Sequence, residues 1–246
     1  MPELPEVEEY ARVFARHALD RTIARVRVLD ERILAVPPRQ LQALRGRRFT
    51  RVRRHGKHLF AQAGDLWLRL HFGMTGDLTT AEERFARVVF HFDDGTLLAF
   101  DDMRLFGVVD LVRDPDAYIL EHRLGPDPMA IGLREFRARL AGRRGAIKPL
   151  LLSQEAVAGV GNLYADETLF RSGIHPRRSV ERLGDDEVKT MFGNLRGVLR
   201  EAIEGRRRIF LIDHREEGER CPRCGGTISR AVVGGRTTYF CPGHQR

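Results

Sequence analysis

The part of the chain with least freedom of fold is its last stretch, where Cys221, Cys224, Cys241 and His244 are spaced C-x2-C-x16-C-x2-H. A close-set pair of thiolates, a spacer and a closing pair is the ligand pattern of a tetrahedral zinc site. The spacer contains "TISRAVVGGRTTYF", two strand-like runs around Gly234 and Gly235, which predicts a metal-held hairpin, a zinc ribbon. This uses every cysteine in the chain. The site is therefore expected to hold one structural Zn2+, closed, with no open position for chemistry.

Three cysteines, an odd number, argue against a disulfide framework. No basic segment followed by an apolar run opens the chain, and nothing in it is long and apolar enough to span a bilayer. A soluble cytoplasmic protein with no membrane partner is expected. Its 246 residues, 42% hydrophobic, can bury one large core or two modest ones.

The formal net charge of +8 points to a polyanionic partner. The charge is also concentrated: "RGRRFTRVRRHGKHLF", residues 45–60, holds seven Lys or Arg and no acid, interleaved with Phe49, Val52, Leu59 and Phe60 as on a strand or hairpin that turns its charge outward. Lysine is otherwise rare. Only Lys57, Lys148 and Lys189 occur, so a lysine marks a place where a compact point charge serves better than a planar guanidinium.

Organisation follows from periodicity. Residues 22–112 read as strands: "LWLRLHF" alternates Leu66, Leu68, Leu70 and Phe72 against Trp67, Arg69 and His71, and "RVVFHFDDGTLLAF" is two runs around a turn at Asp93, Asp94 and Gly95. This predicts a β-sandwich over 1–114. Residues 115–132, with three prolines and two glycines, read as a linker. From Leu133 the period becomes helical, ending near Gly205, which predicts a helical domain over 133–215 before the ribbon at 216–246.

The opening "MPELPEVEEY" predicts a helix from Pro5, with Glu6, Glu8 and Glu9 complementing the macrodipole and Val7, Tyr10, Ala11, Phe14 and Ala18 as its apolar stripe. Helix chemistry does not account for Pro2 and Glu3.

Five motifs in order, "PELPEVE", "RRHGKHL", "HFGMTG", "RLFG" with "GVGNLYADETLFRSGIHP", and the ribbon, resemble the formamidopyrimidine-DNA glycosylase family, over nearly the whole chain. The resemblance implies a multidomain α+β fold: an N-terminal β-sandwich with flanking helices, a helix-two-turn-helix domain and the zinc ribbon. It implies a monomeric base-excision repair enzyme of the bacterial nucleoid, both DNA glycosylase and AP lyase, acting on double-stranded DNA with damaged bases or abasic sites.

On that resemblance Pro2, freed by loss of Met1, is the nucleophile. An α-amino group is roughly one part in ten neutral at pH 7, against about one in several thousand for lysine. Glu3 resembles the acid that protonates the sugar ring oxygen and Glu6 its supporting carboxylate. Lys57 resembles the phosphate-binding hairpin lysine, and it is the next amine to suspect if Pro2 is not the nucleophile. His71, Lys148, Asn162 and Arg236 match further DNA-binding positions, with Arg236 at the ribbon tip. Met74, Arg104 and Phe106 match the wedge that fills the space of an extruded base.

Three departures from the family pattern stand out. His244 replaces a fourth cysteine, and Leu105 replaces a second arginine. The segment 206–220 is too short for the usual loop over flipped 8-oxoguanine, so formamidopyrimidines, hydantoins, oxidised pyrimidines and abasic sites are the expected substrates. The competing expectation is a non-catalytic binding protein that senses lesions on the same scaffold; the terminal Pro2, Glu3 and Glu6 argue against it.

Overall fold

Helix α1 (Leu4–Ala18) starts where Glu3 takes an extended backbone (φ −109°, ψ −171°) and Pro5 is preset for the first turn. A computed structural model of the chain describes residues 1–206 and 211–246. In it α1 buries Leu4, Val7, Phe14 and Ala18, with Tyr10 and Ala11 packed at the edge of the same core, which is the expected stripe.

Two four-stranded antiparallel sheets follow. One has the order β1 (Ile23–Val28), β6 (Ala86–Phe92), β7 (Leu97–Asp102), β5 (Gly76–Thr79). The other has β2 (Arg51–His55), β3 (His58–Ala63), β4 (Leu66–His71), β8 (Val108–Val112). A short helix α2 (Pro38–Leu41) lies between β1 and β2 in sequence. Val88, Phe90 and Phe92 of one sheet and Leu59, Leu68 and Leu70 of the other enter one core with Phe14 and Phe49. Phe49 meets Phe14 and Phe90 edge-on, with ring centroids at 4.9 and 6.1 Å. Each such ring contributes roughly 1.5–3 kcal/mol by leaving water, so the core alone orients both sheets.

The alternation of β4 fails most plainly at Arg69. Arg69, expected on a solvated face, is 5% exposed. Its cross-strand register partner on β8 is Asp110, which it meets at 3.0 Å, and its guanidinium lies 4.5 Å from the Tyr118 ring centroid. Tyr118 belongs to helix α3 (Pro115–Glu121), which starts on the Asp114 side chain accepting from Asp116 N–H and has Pro115 in its first turn. Much of the stretch expected as linker is therefore built into the fold. Residues 115–121 pack on the sheet, while Gly125 N–H donates to Gln154 O (2.7 Å) and Ala158 N–H to Pro126 O (3.0 Å). A Cβ at Gly125 would come within 2.5 Å of Glu155 O, so only glycine allows that approach. The chain divides into two compact units at residues 123 and 124.

The second unit contains α4 (Leu133–Leu140), α5 (Ile147–Leu152), α6 (Asn162–Ser172) and α7 (Asp185–Ile203). Helix α6 is its axis, buried from Tyr164 to Phe170 and ended by Gly173 in the left-handed region (φ 69°). The ribbon hairpin pairs β9 (Ser229–Val233) with β10 (Arg236–Phe240) across Gly234 and Gly235, both at positive φ (58° and 73°), the backbone that such a tight turn demands.

Candidate functional site

At the start of α1 the backbone N–H of Glu3 donates to Glu6 Oε2 (2.9 Å), the reciprocal capping arrangement of a helix N-terminus. It turns Glu6 back toward the terminus and leaves the Glu3 carboxyl buried beside Pro2, which is itself half-buried. Tyr10, one helical turn beyond Glu6, donates to Gly76 O (3.2 Å). Burial, then the charges of Asp77 and Glu6, push its phenol far above the usual range.

The hairpin of β2 and β3 turns through Gly56, at φ 55°, and Lys57. Arg54 ties this tip to α1: Nε meets Glu8 Oε2 at 2.7 Å and Nη1 donates to Gly56 O at 3.2 Å. Lys57 is 9% exposed. On the adjoining face of the sheet His71 accepts from Gly73 N–H at Nδ1 (3.3 Å), which places its ring proton on Nε2. Burial, with Arg69 and Lys57 adding like charge, holds His71 down to about 4. His58, 5.0 Å from His71 between ring centroids and 3.3 Å from Arg69 Nη1, is pushed down by burial, then by His71, Arg69, His55 and His122. The cluster of Arg69, Asp110, His58 and Tyr118 had no sequence signal, because alternation turns Arg69 to water and Tyr118 lies in the stretch read as a linker.

Met74 and Phe106 are exposed, at 41% and 52%, on the loops after β4 and β7, and Arg104 lies with its guanidinium 4.8 Å from the Phe106 ring centroid. Met103, at 54%, stands with them and was not anticipated.

In the second unit Asn162 is the first residue of α6, and its Nδ2 donates to Thr237 O (2.9 Å), next to Arg236. Arg236 is exposed at the hairpin turn. Lys148 requires a correction. Expected as a DNA contact, it is completely buried, with Nζ 2.6 Å from Asp166 Oδ1 and donating to Thr238 Oγ1 (2.6 Å). An ammonium already paired inside the fold has no surface to offer a phosphate; it fastens α5 to α6 and β10. Burial pushes the Asp166 carboxyl up, and the Lys148 and Arg215 cations, within 2.6 and 2.8 Å, oppose it.

The expected short segment 206–220 lies partly outside the described residues, at 207–210. Beyond it, Ile212 N–H donates to Glu167 Oε2 (3.0 Å), and Arg215 pairs with Asp166 and lies 5.0 Å from the Tyr239 ring centroid. This part of the segment is bonded to α6 and β10.

Cys221, Cys224, Cys241 and His244 bring their donor atoms within 4.8 Å of one another. Cys224 Sγ is 3.5 Å from Cys241 Sγ, and Cys221 Sγ is 3.7 Å from His244 Nδ1. A tetrahedron with Zn–S bonds of about 2.3 Å has edges near 3.8 Å, so the residues fit zinc. His244 Nε2 faces Phe170 O at 3.2 Å, and donating there leaves Nδ1 as the ligand atom. The chain has one structural zinc site.

Three family models match in order: the formamidopyrimidine-DNA glycosylase N-terminal domain over residues 1–109, the H2TH domain of the same glycosylases over 124–211, and a zinc finger found in FPG and IleRS over 218–242. The formamidopyrimidine-DNA glycosylase of Heliobacterium modesticaldum is 38% identical over 281 aligned residues, covering 100% of each chain. The chain belongs to the formamidopyrimidine-DNA glycosylase family. It is an enzyme of the bifunctional glycosylase and AP lyase class, with the mixed α+β fold of that family. The formamidopyrimidine-DNA glycosylase of Solibacter usitatus is also 38% identical, over 267 residues and all of both chains. Both alignments exceed the 246 residues here, so these glycosylases carry residues that this chain lacks. Among solved structures, MutM in complex with carbocyclic 8-oxo-G containing DNA matches with a TM-score of 0.92 at 30% identity over 100% of both chains. Lactococcus lactis Fpg non-covalently bound to AP-site DNA matches with 0.91 at 30% over 99% of both. No helix among the described residues is long and apolar enough to cross a membrane.

Proposed function

We propose that this protein removes oxidised or ring-opened bases from double-stranded DNA and cuts the strand at the resulting abasic site, with Pro2 as nucleophile. Loss of Met1 frees the Pro2 secondary amine. Its nitrogen attacks C1′ as the glycosidic bond breaks and the base leaves with the bonding pair. The ammonium so formed loses its proton to a base, Glu3 gives its own proton to the ring oxygen as C1′–O4′ opens with the bonding pair, and the freed nitrogen lone pair completes an iminium. The iminium acidifies the C2′ proton; a base takes it to leave an enamine, and the enamine pair then forms the C2′–C3′ double bond as the C3′–O3′ bond breaks and the 3′ phosphate departs with its electrons.

The observation that carries this reading is the buried Glu3 carboxyl beside Pro2, with Glu6 held on Glu3 N–H. A carboxyl held next to the amine is placed to hand a proton to the sugar ring oxygen, the part a general acid plays. Each unit supplies phosphate contacts: Lys57 and His71 from the first, Asn162 and Arg236 from the second. Met74, Arg104 and Phe106 form the wedge. The shortness of segment 206–220 supports formamidopyrimidines, hydantoins, oxidised pyrimidines and abasic sites over 8-oxoguanine as substrates.

Borohydride trapping on lesion-bearing duplexes tests this. Processed protein should give a covalent adduct, and protein retaining Met1 should give none. Equal trapping by both forms would move the nucleophile to a lysine, Lys57 first. Glu3→Gln should suppress base excision far more than cleavage of a preformed abasic site.

A further inference from the structure

The loops that carry Met74, Arg104 and Phe106 converge on one carboxylate. Asp102, the last residue of β7, is completely buried. Its Oδ1 accepts from Thr75 Oγ1 (2.5 Å) and from Arg104 N–H (3.1 Å), and its Oδ2 accepts from Gly107 N–H (2.6 Å). Thr75 Oγ1 in turn accepts from Arg104 N–H (3.1 Å). One side chain thus fixes the loop after β4 and both ends of the loop after β7.

We propose that Asp102 is a positioning residue for base extrusion, holding Met74, Arg104 and Phe106 in the arrangement that enters the base stack. This rests on the wedge reading of those three side chains. The loop after β7 needs such a device because Leu105 sits in the left-handed region (φ 57°), which a residue with a Cβ adopts only under strain. The two backbone N–H groups that flank Leu105, those of Arg104 and Gly107, are the ones Asp102 accepts from, so the carboxylate offsets the strain where it arises. The loops also nest too closely for any side chain at Gly73. A Cβ there would come within 2.4 Å of the Phe106 carbonyl. Hence Met74 and Phe106 cannot shift independently, and the carboxylate that fixes one fixes the other.

An amide cannot replace this carboxylate. Whichever way the Asp102→Asn side chain turns, its NH2 meets the N–H of Arg104 or of Gly107, and one loop anchor is lost. Thr75→Val removes the hydroxyl from the same node at nearly constant shape, and Thr75→Ser restores it. Unstacking is read by 2-aminopurine placed beside the lesion, together with single-turnover excision and with cleavage of a single-stranded abasic oligonucleotide, which has no stack to open. Wild-type protein should give a lesion-dependent fluorescence rise. Asp102→Asn and Thr75→Val should lose most of it and lose about ten- to a hundredfold in the excision rate with KM little changed, as a misplacement near 1 Å does. Single-stranded cleavage should persist, and Thr75→Ser should return the signal. If Asp102→Asn does not fold, Thr75→Val with its serine rescue decides. Variants with wild-type fluorescence and excision would overturn the positioning role alone, as would equal losses on single-stranded and duplex DNA. A wild-type protein with no lesion-dependent rise would overturn the wedge reading and this proposal with it.

Discussion

Two hairpins of this molecule present a cation at a tight glycine turn, and they are held in opposite ways. Lys57 follows Gly56 on a hairpin that continues into a four-stranded sheet and a large aromatic core, with Arg54 tying its tip to α1. Arg236 follows Gly235 on a two-stranded sheet, too little to be stable alone in water. Its support is bought with a metal and a buried ion pair. The same local turn chemistry therefore rests mainly on a large core in one unit, and in the other on coordination and a buried ion pair beside a small cluster of Phe170, Leu211 and Ile228.

The largest expected difference is under metal removal. Structural zinc is worth on the order of 10–16 kcal/mol of apparent binding free energy near pH 7 in small ribbons. Chelation or Cys241→Ala should disorder the Arg236 hairpin and abolish DNA binding, while circular dichroism retains the strand signal of the sandwich. Protein with less than one equivalent of zinc and full DNA affinity would break the comparison.

Next is the buried pair. Lys148→Met leaves Asp166 with Arg215 and the Tyr239 N–H, and removing one partner of a buried pair costs up to roughly 3–5 kcal/mol. Denaturant unfolding should show that loss in the second unit. If Lys148 were a DNA contact instead, stability would hold and affinity alone would fall.

Smaller still, Lys57→Ala and Arg236→Ala should each reduce the slope of log K against log salt by about one unit, whichever lesion the duplex carries. A change for one and not the other would show that only one hairpin meets a phosphate.

The last effect, seen only in acid, concerns His71, whose pKa falls from 6.5 to about 4 through burial, Arg69 and Lys57. The unfolded chain binds this proton more readily than the native one, so the contribution of His71 to stability is complete above pH 6.5 and is lost as pH falls toward 4. His71→Asn should flatten the decline of the melting temperature across that window. Because the native ring is neutral, the same variant should leave the salt slope unchanged.

Features with a local cause were legible in the sequence. The cysteine and histidine spacing, the turn at Gly234 and Gly235 and the stripe of α1 each follow from a few neighbouring residues. Arg69 was not, since alternation reports which way a side chain points and not what lies above it; Tyr118 is distant in sequence. Lys148 misled for a related reason. A rare lysine in a basic chain suggests an anion, and its true partner, Asp166, sits within an unbroken helical pattern. Asp102 escaped because a carboxylate that binds loop amides leaves no mark in residue spacing.

The contact of His244 Nε2 with Phe170 O has a consequence for α6 itself. The last carbonyls of a helix have no partner within it and form the negative end of its dipole. Here they receive the ring N–H of a zinc ligand, while the Arg223 guanidinium donates to Phe170 O (3.2 Å) and Arg171 O (2.9 Å). The ribbon thus adds to the cap that Gly173 gives α6, and a ligand atom at His244 Nδ1 keeps the ring N–H at Nε2 turned to the helix end. Amide exchange in the last turn, at residues 170–173, should then report zinc occupancy directly: protected in the loaded protein, frayed in the stripped one.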